Sequence, residues 1–140
     1  GYAEGAPSAN TPPEEAARFN NESGATALAI SVGNVHLKTE KTSGINFDAL
    51  KAIEEVTTLP LVLHGGSGIP VNIRKRLARE SRVSKFNIGT ELRMAFGNSL
   101  RKSLTENPKI FDRITLLSPT VDAVKSVTIE VICALNGKPE

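Results

Sequence analysis

The sequence predicts an α/β fold with parallel strands, and three observations lead to this class. Short, continuous apolar runs alternate with segments whose apolar residues recur at helical spacing. The alternation repeats at intervals of roughly 20 to 30 residues, which leaves room for the crossover helix that parallel strands need. Each apolar run ends in a polar or glycine-rich turn, the usual boundary between a strand and the next helix. Together these features are typical of an α/β domain.

The first elements follow an N-terminal loop. Residues 1–13 are rich in Gly, Pro and Ser and predict that loop. The segment PPEEAARFNNESG predicts a helix, because Thr11 can cap it, the prolines suit its first turn and Gly24 can end it. The next segment, ATALAISVG, is continuously apolar, so we expect a strand buried on both faces.

Two further strands and four further helices are predicted. In chain order they are the helix NFDALKAIEEVTT, the strand LPLVLH, the helix PVNIRKRLARES, the strand VSKFNIG, the helix TELRMAFGNSLRKSLTE and a C-terminal helix over 118–137. The length suffices for one modest core, so residues 1–140 are expected to form a single domain.

Composition excludes some partners and indicates a compartment. The 17 basic and 15 acidic residues are interspersed, so charge does not indicate nucleic acid as a partner. No apolar run approaches the roughly 18 residues of a membrane span, so no membrane partner is expected. The single cysteine, Cys133, cannot form an internal disulfide, which favours a reducing compartment and predicts a cytoplasmic protein.

The two histidines follow apolar runs. His36 ends ISVGNVH and His64 ends LPLVLH, and the carboxyl ends of parallel strands form the active face of such folds. Neutral imidazole is a common ligand of divalent metals, so the pair could supply two corners of a zinc site. Alternatively, each histidine forms hydrogen bonds only within its own loop.

Two turns have the composition of phosphate-binding loops. The sequence GGSG follows one strand and NIGTE follows the next, each directly before a helix. Glycines leave backbone N–H groups accessible to a ligand, and the positive end of a helix attracts an anion. The pair predicts a site for a phosphorylated metabolite; the alternative is two ordinary glycine turns and a threonine cap.

The segments GATALAISVGNVH, PLVLHGGSGIP and VSKFNIGTELRMAF resemble the signature segments of class II, metal-dependent ketose-bisphosphate aldolases. NIGTE is more similar to the tagatose-bisphosphate type than to the fructose-bisphosphate type. The resemblance implies the C-terminal part of a (β/α)₈ TIM barrel, about three parallel strands with their helices. It also implies a cytoplasmic lyase of carbohydrate metabolism and glycolysis, and a homo-oligomer, either a dimer or a tetramer.

The resemblance implies a reaction and its site. A ketose 1,6-bisphosphate would be cleaved to dihydroxyacetone phosphate and an aldehyde through a zinc-stabilised enediolate. His36 and His64 would bind Zn²⁺, and a monovalent cation, Na⁺ or K⁺, could bind nearby backbone atoms. The implied substrate-binding residues are Leu37 (through its backbone), Gly65, Gly66, Ser67, Asn87, Ile88, Gly89 and Thr90.

The sequence also departs from the family. There, a third histidine and a catalytic aspartate are adjacent on an earlier strand, and this sequence has no histidine before His36. No catalytic residue is therefore assigned within this chain. Two alternatives stay open: a catalytically incomplete fragment or subunit that binds only metal or phosphate, and a Schiff-base aldolase using Lys85, two residues before Asn87.

Overall fold

The computed structural model describes residues 10–33 and 44–136. Within these ranges the secondary structure alternates as the sequence predicts. The helices are α1 (Pro13–Glu22), α2 (Phe47–Val56), α3 (Val71–Glu80), α4 (Thr90–Glu106) and α5 (Arg113–Asn136), and the strands are β1 (Leu28–Ile30), β2 (Leu61–Leu63) and β3 (Val83–Phe86). The chain divides into two compact units, Gly1–Ile88 and Gly89–Glu140.

The first unit contains a parallel sheet in the order β1-β2-β3, which confirms the predicted parallel α/β class. Along one row of the sheet, Leu28 pairs with Leu61 and Leu61 pairs with Val83. One face of the sheet packs on the helices. The buried core residues on this side include Leu28, Ile30, Leu50, Ile53, Leu61, Leu63, Leu77 and Val83.

The other face of the sheet is open at its two outer strands. Ala29, Val62 and Lys85 lie in one row across the sheet, and Ala29 and Lys85 are exposed. The prediction that the first strand is buried on both faces is therefore wrong. No other strand of the described residues covers this face, so only one side of β1 enters the core.

A bulge in β3 sets the register of the residues that follow it. Leu61 pairs with Val83, but the next residue, Val62, pairs with Lys85, so Ser84 is an extra residue. Phe86 then returns to the helical side and packs against the core. Because one extra residue shifts all later side chains along a strand, the bulge decides which residue lies beside the end of β2.

Thr11 has a different role from the predicted helix cap. Its hydroxyl accepts a hydrogen bond from the Ser31 N–H at 2.9 Å, and its own N–H donates to the Ser31 carbonyl at 2.7 Å. The position before α1 is Pro12, which makes no side-chain cap. Thr11 therefore forms hydrogen bonds with the residue that follows β1, 20 positions away, and does not cap α1.

The second unit consists of α4 and α5, which pack against each other. Helix α4 spans the predicted TELRMAFGNSLRKSLTE segment completely. Helix α5 begins at Arg113 rather than at 118 and contains Pro119. Its earlier start follows from Asp112, whose carboxylate accepts hydrogen bonds from the N–H and the hydroxyl of Thr115 at 2.8 and 2.7 Å.

None of the helices in the described part of the chain combines the length and the apolarity that crossing a membrane requires.

The stability of the first turn of α5 should depend on pH, through the cap that Asp112 provides. Hydrogen bonds from the Thr115 hydroxyl and N–H lower the pKa of Asp112 below its usual value. A lowered pKa in the folded chain means that the cap acts fully above the unfolded pKa and is lost as pH falls through the folded value. We expect Thr115→Val to raise the Asp112 pKa, measured by carboxyl NMR titration. A titration of Asp112 at or above about 3.9 in the wild-type chain would contradict this account.

Candidate functional site

The candidate site lies at the carboxyl end of β2. His64 directly follows this strand and is partly buried, and Asn87 directly follows β3. The Asn87 amide nitrogen, Nδ2, lies 3.0 Å from the His64 ring nitrogen Nδ1. The Asn87 N–H donates to the Leu63 carbonyl at 2.9 Å, which anchors the two strand ends together. The structure thus brings the HGGSG and NIGTE motifs into direct contact.

Gly65 explains why the strand ends in a glycine loop. Its backbone has φ 64° and ψ 26°, the left-handed conformation that residues with a Cβ adopt at a cost. This turn leads into a short 3₁₀ segment, Gly66–Gly68, and then into the fully buried Ile69. The loop is therefore fixed at one end by β2 and at the other by the core.

Gly66 allows the loop to approach the end of β3. Its N–H donates to the Asn87 carbonyl at 3.0 Å. A Cβ at this position would lie 2.9 Å from Cγ1 of Ile88 and 3.2 Å from the Asn87 carbonyl oxygen. Because the second of these atoms belongs to the backbone and to the same hydrogen bond, any side chain at Gly66 would push the two motifs apart.

Two of the four amides of the GGSG loop, those of Gly66 and Gly68, already donate to backbone carbonyls, whereas the sequence predicted that successive N–H groups face a ligand. Besides Gly66, Gly68 donates to the Gly65 carbonyl at 3.0 Å, and Ile69 donates to the Gly66 carbonyl at 3.2 Å. The 3₁₀ turn requires these bonds. An anion would therefore find fewer amides here than the sequence suggested. Helix α3 adds its positive end directly after the loop, with no acidic residue in its first turn.

The remainder of the NIGTE motif belongs to the start of α4 in the second unit. Gly89 occupies the cap position and Thr90 is the first helical residue. The Thr90 hydroxyl accepts a hydrogen bond from Nη2 of Arg93 at 3.1 Å. A Cβ on Gly89 would lie 2.8 Å from Nη1 of Arg93. Arg93, which was not among the predicted site residues, thus packs over the first turn of α4.

The remaining residues predicted to have a functional role are His36, Leu37 and Lys85. His36 and Leu37 fall outside the described residues. Within the described ranges, no group of three or more His, Cys, Asp or Glu side chains could hold a metal ion. His64 is suited to be one zinc ligand by its chemistry and by its place at a strand end, but catalytic zinc usually takes three protein ligands. Lys85 lies on the open face of the sheet, in register with Val62.

Comparison with solved structures places this architecture among aldolases. The YdjI aldolase from Escherichia coli K12 is 29% identical with a TM-score of 0.66, over 89% of this chain and 44% of that one. A candidate fructose-1,6-biphosphate aldolase from Coccidioides immitis has 23% identity and a TM-score of 0.73, over 92% and 44%. Fructose-bisphosphate aldolase from Campylobacter jejuni has 23% identity and a TM-score of 0.65, over 91% and 45%.

The chain therefore spans less than half the length of each of these proteins. Its three parallel strands and their helices correspond to part of a TIM-barrel aldolase, which confirms the predicted fold class. The family model for class-II fructose-bisphosphate aldolases matches residues 2–139, almost the whole sequence. On the strength of that match, with HGGSG and NIGTE joined at one edge of the sheet, this chain belongs to the class-II fructose-bisphosphate aldolase family.

Proposed function

We propose that this chain forms part of a cytoplasmic, metal-dependent aldolase of carbohydrate metabolism. Its substrate would be a ketose 1,6-bisphosphate of the fructose or tagatose type, cleaved to dihydroxyacetone phosphate and an aldehyde. The observation that carries the proposal is the 3.0 Å contact between the Asn87 amide and the His64 ring. This contact brings a candidate metal ligand, His64, to the start of the NIGTE motif, and the GGSG loop directly follows His64 in the chain.

His36 and His64 would hold the metal, for which Zn²⁺ suits the imidazole donors. When bound, the ion supplies a Lewis acid beside the reacting carbonyl. The chain's own contribution is to orient one ligand. His64 follows the buried Leu63, which fixes the backbone, and its ring nitrogen Nδ1 lies 3.0 Å from the Asn87 amide, which would orient the ring. A monovalent cation, Na⁺ or K⁺, belongs to the same proposal, as a further ligand of backbone oxygens near these loops.

The substrate's phosphate would be held by the two glycine turns and the helices that follow them. Support comes from the start of α3, where the positive end of the helix follows the GGSG turn and no acidic residue lies in the first turn. The proposed contacts are those of Leu37, Gly65, Gly66, Ser67, Asn87, Ile88, Gly89 and Thr90.

Cleavage would also need groups that this sequence does not contain. Its two histidines leave a three-histidine zinc site incomplete, and the family's adjacent histidine and aspartate have no counterpart here. We therefore assign no catalytic residue to this chain. A polypeptide with the first strands of the barrel would supply the third ligand and the proton-transfer group.

The test compares the chain alone with the chain combined with such a polypeptide. Alone, it should show no detectable cleavage of fructose or tagatose bisphosphate with zinc, because each missing group is worth roughly 10² or more. Together, the two should cleave substrate, and a chelator should stop the reaction. A purified 140-residue monomer that cleaves a ketose bisphosphate with zinc would overturn the proposal.

The chain combined with the polypeptide that carries the first barrel strands also distinguishes the two alternatives, a Schiff-base aldolase and a binding subunit. Borohydride in the presence of substrate should leave Lys85 unmodified, whereas covalent trapping there would identify a Schiff-base aldolase. Phosphate and zinc binding without any cleavage by the mixture would identify a binding subunit instead. The presence of only two histidines is the observation that favours this last function.

We also propose that the chain assembles into a dimer or tetramer. Exposed apolar side chains just before and within the first turns of α5 support this, since Phe111, Ile114 and Val121 are 90%, 71% and 66% exposed. Light scattering that reports a monomer at micromolar concentration would count against assembly.

A further inference from the structure

The open face of the sheet carries a single charge. Ala29, Val62 and Lys85 form one row across this face, and Ala29 and Lys85 are exposed. Among the residues of the three described strands, none is an aspartate or a glutamate, and Lys85 is the one charged side chain. The face is therefore small, apolar and cationic.

Lys85 is not neutralised by a neighbouring carboxylate. Within residues 10–33 and 44–136, the ion pairs lie along α3 and along α4, and neither of them includes Lys85. Glu54 lies close to the start of β3, but its carboxylate accepts a hydrogen bond from the Arg82 N–H at 2.6 Å. The lysine of the open face thus keeps its charge uncompensated in this part of the chain.

In a complete TIM barrel this face would become part of the interior. The three strands correspond to part of a TIM-barrel aldolase, and the chain spans less than half the length of each matched aldolase. Side chains that point into an eight-stranded barrel pack in layers against those of the other strands. Lys85 would then leave water, and a buried ammonium group is costly unless a carboxylate pairs with it.

We propose that the open face receives the remaining strands of an aldolase barrel and that Lys85 pairs with an inward-facing carboxylate on one of them. The proposal rests on the proposed function, in which a polypeptide with the first barrel strands completes the site. A second copy of this chain is the wrong occupant, because symmetric pairing would bring two Lys85 side chains together without a carboxylate from either sheet. Lys85 thus joins the two parts of the barrel and does not form a Schiff base.

The experiment mixes the 140-residue chain with the part of the Escherichia coli YdjI aldolase that this chain does not match. Lysines are acetylated with a succinimidyl ester, and mass spectrometry follows the reaction at each site. Lys51, which is exposed on α2 of the same unit, is the matched control. Both lysines should react in the chain alone. In the mixture, Lys85 should lose most of its reactivity, while Lys51 reacts as before.

Removal of the charge should weaken the association. Lys85→Met leaves the partner's carboxylate buried and unpaired, so we expect binding to be weaker by roughly 30-fold or more in a fluorescence titration. Lys85→Arg keeps the charge and should retain most of the affinity, and Lys51→Met should leave it unchanged. Because Lys85 is exposed in this chain, urea unfolding of its variants should match that of the wild type.

Three outcomes would overturn the proposal. If Lys85 reacts as fast in the mixture as in the chain alone, barrel strands do not cover this face. If Lys85→Met binds as tightly as the wild type, no carboxylate pairs with the ammonium group. If Lys85 is protected in the chain alone and light scattering reports a dimer, a second copy covers the face. By contrast, protection of Lys85 in a mixture that cleaves no bisphosphate would support this interface and refute the proposed function.

Discussion

Replacing His64 with alanine will remove specific zinc binding from this chain, lowering the affinity by roughly 100-fold or more. The chain has one other histidine, so even the wild type should bind zinc weakly, with two protein ligands instead of three. Loss of the ring leaves a single imidazole, which cannot hold the ion at a defined place. The measurement is a competition titration with a colorimetric zinc indicator.

Two variants control this result. Cys133→Ser removes the other side chain with a high affinity for zinc, on α5, and should leave the titration unchanged. His64→Gln keeps a polar side chain of similar length at the end of β2, so it reports whether the fold tolerates the change. An unchanged zinc stoichiometry in the double variant His36→Ala, His64→Ala would refute both ligand assignments.

Replacing Gly65 with valine will cost more phosphate affinity than replacing Ser67 with alanine. Gly65 has φ 64°, and a β-branched side chain in this conformation is strained by about 1–2 kcal/mol or more. The loop must then rearrange, which displaces Gly66 from its hydrogen bond to the Asn87 carbonyl. Ser67→Ala removes one hydroxyl from a buried position and leaves the backbone unchanged. We expect losses of about tenfold or more for the first and a few-fold for the second.

Gly65→Asn separates backbone strain from blocked access. Asparagine tolerates the left-handed conformation, so the turn should form, while its side chain still adds atoms beside the phosphate. Calorimetric titration with dihydroxyacetone phosphate, together with urea unfolding of each variant, measures both effects. If Ser67→Ala loses more phosphate affinity than Gly65→Val at equal stability, the loop does not act through its backbone.

The local sequence was sufficient to predict most of the elements. Helix α4 occupies the predicted residues because good helix formers predominate on both sides of Gly97, and the helix continues through that glycine. The parallel sheet followed from the spacing of the apolar runs, since crossover helices separate them. The sequence also predicted polar residues at the ends of the strands, and the structure places His64 directly after β2 and Asn87 directly after β3.

The sequence alone could not predict contacts between residues that are far apart along the chain. Thr11 meets Ser31 rather than capping its own helix, and Asn87 meets His64 across 23 positions. The second contact depends on the bulge that adds Ser84 to β3, since one residue fewer would turn Asn87 away. Periodicity determines which face of an element is apolar, whereas register and packing between elements decide which polar groups meet at the strand ends.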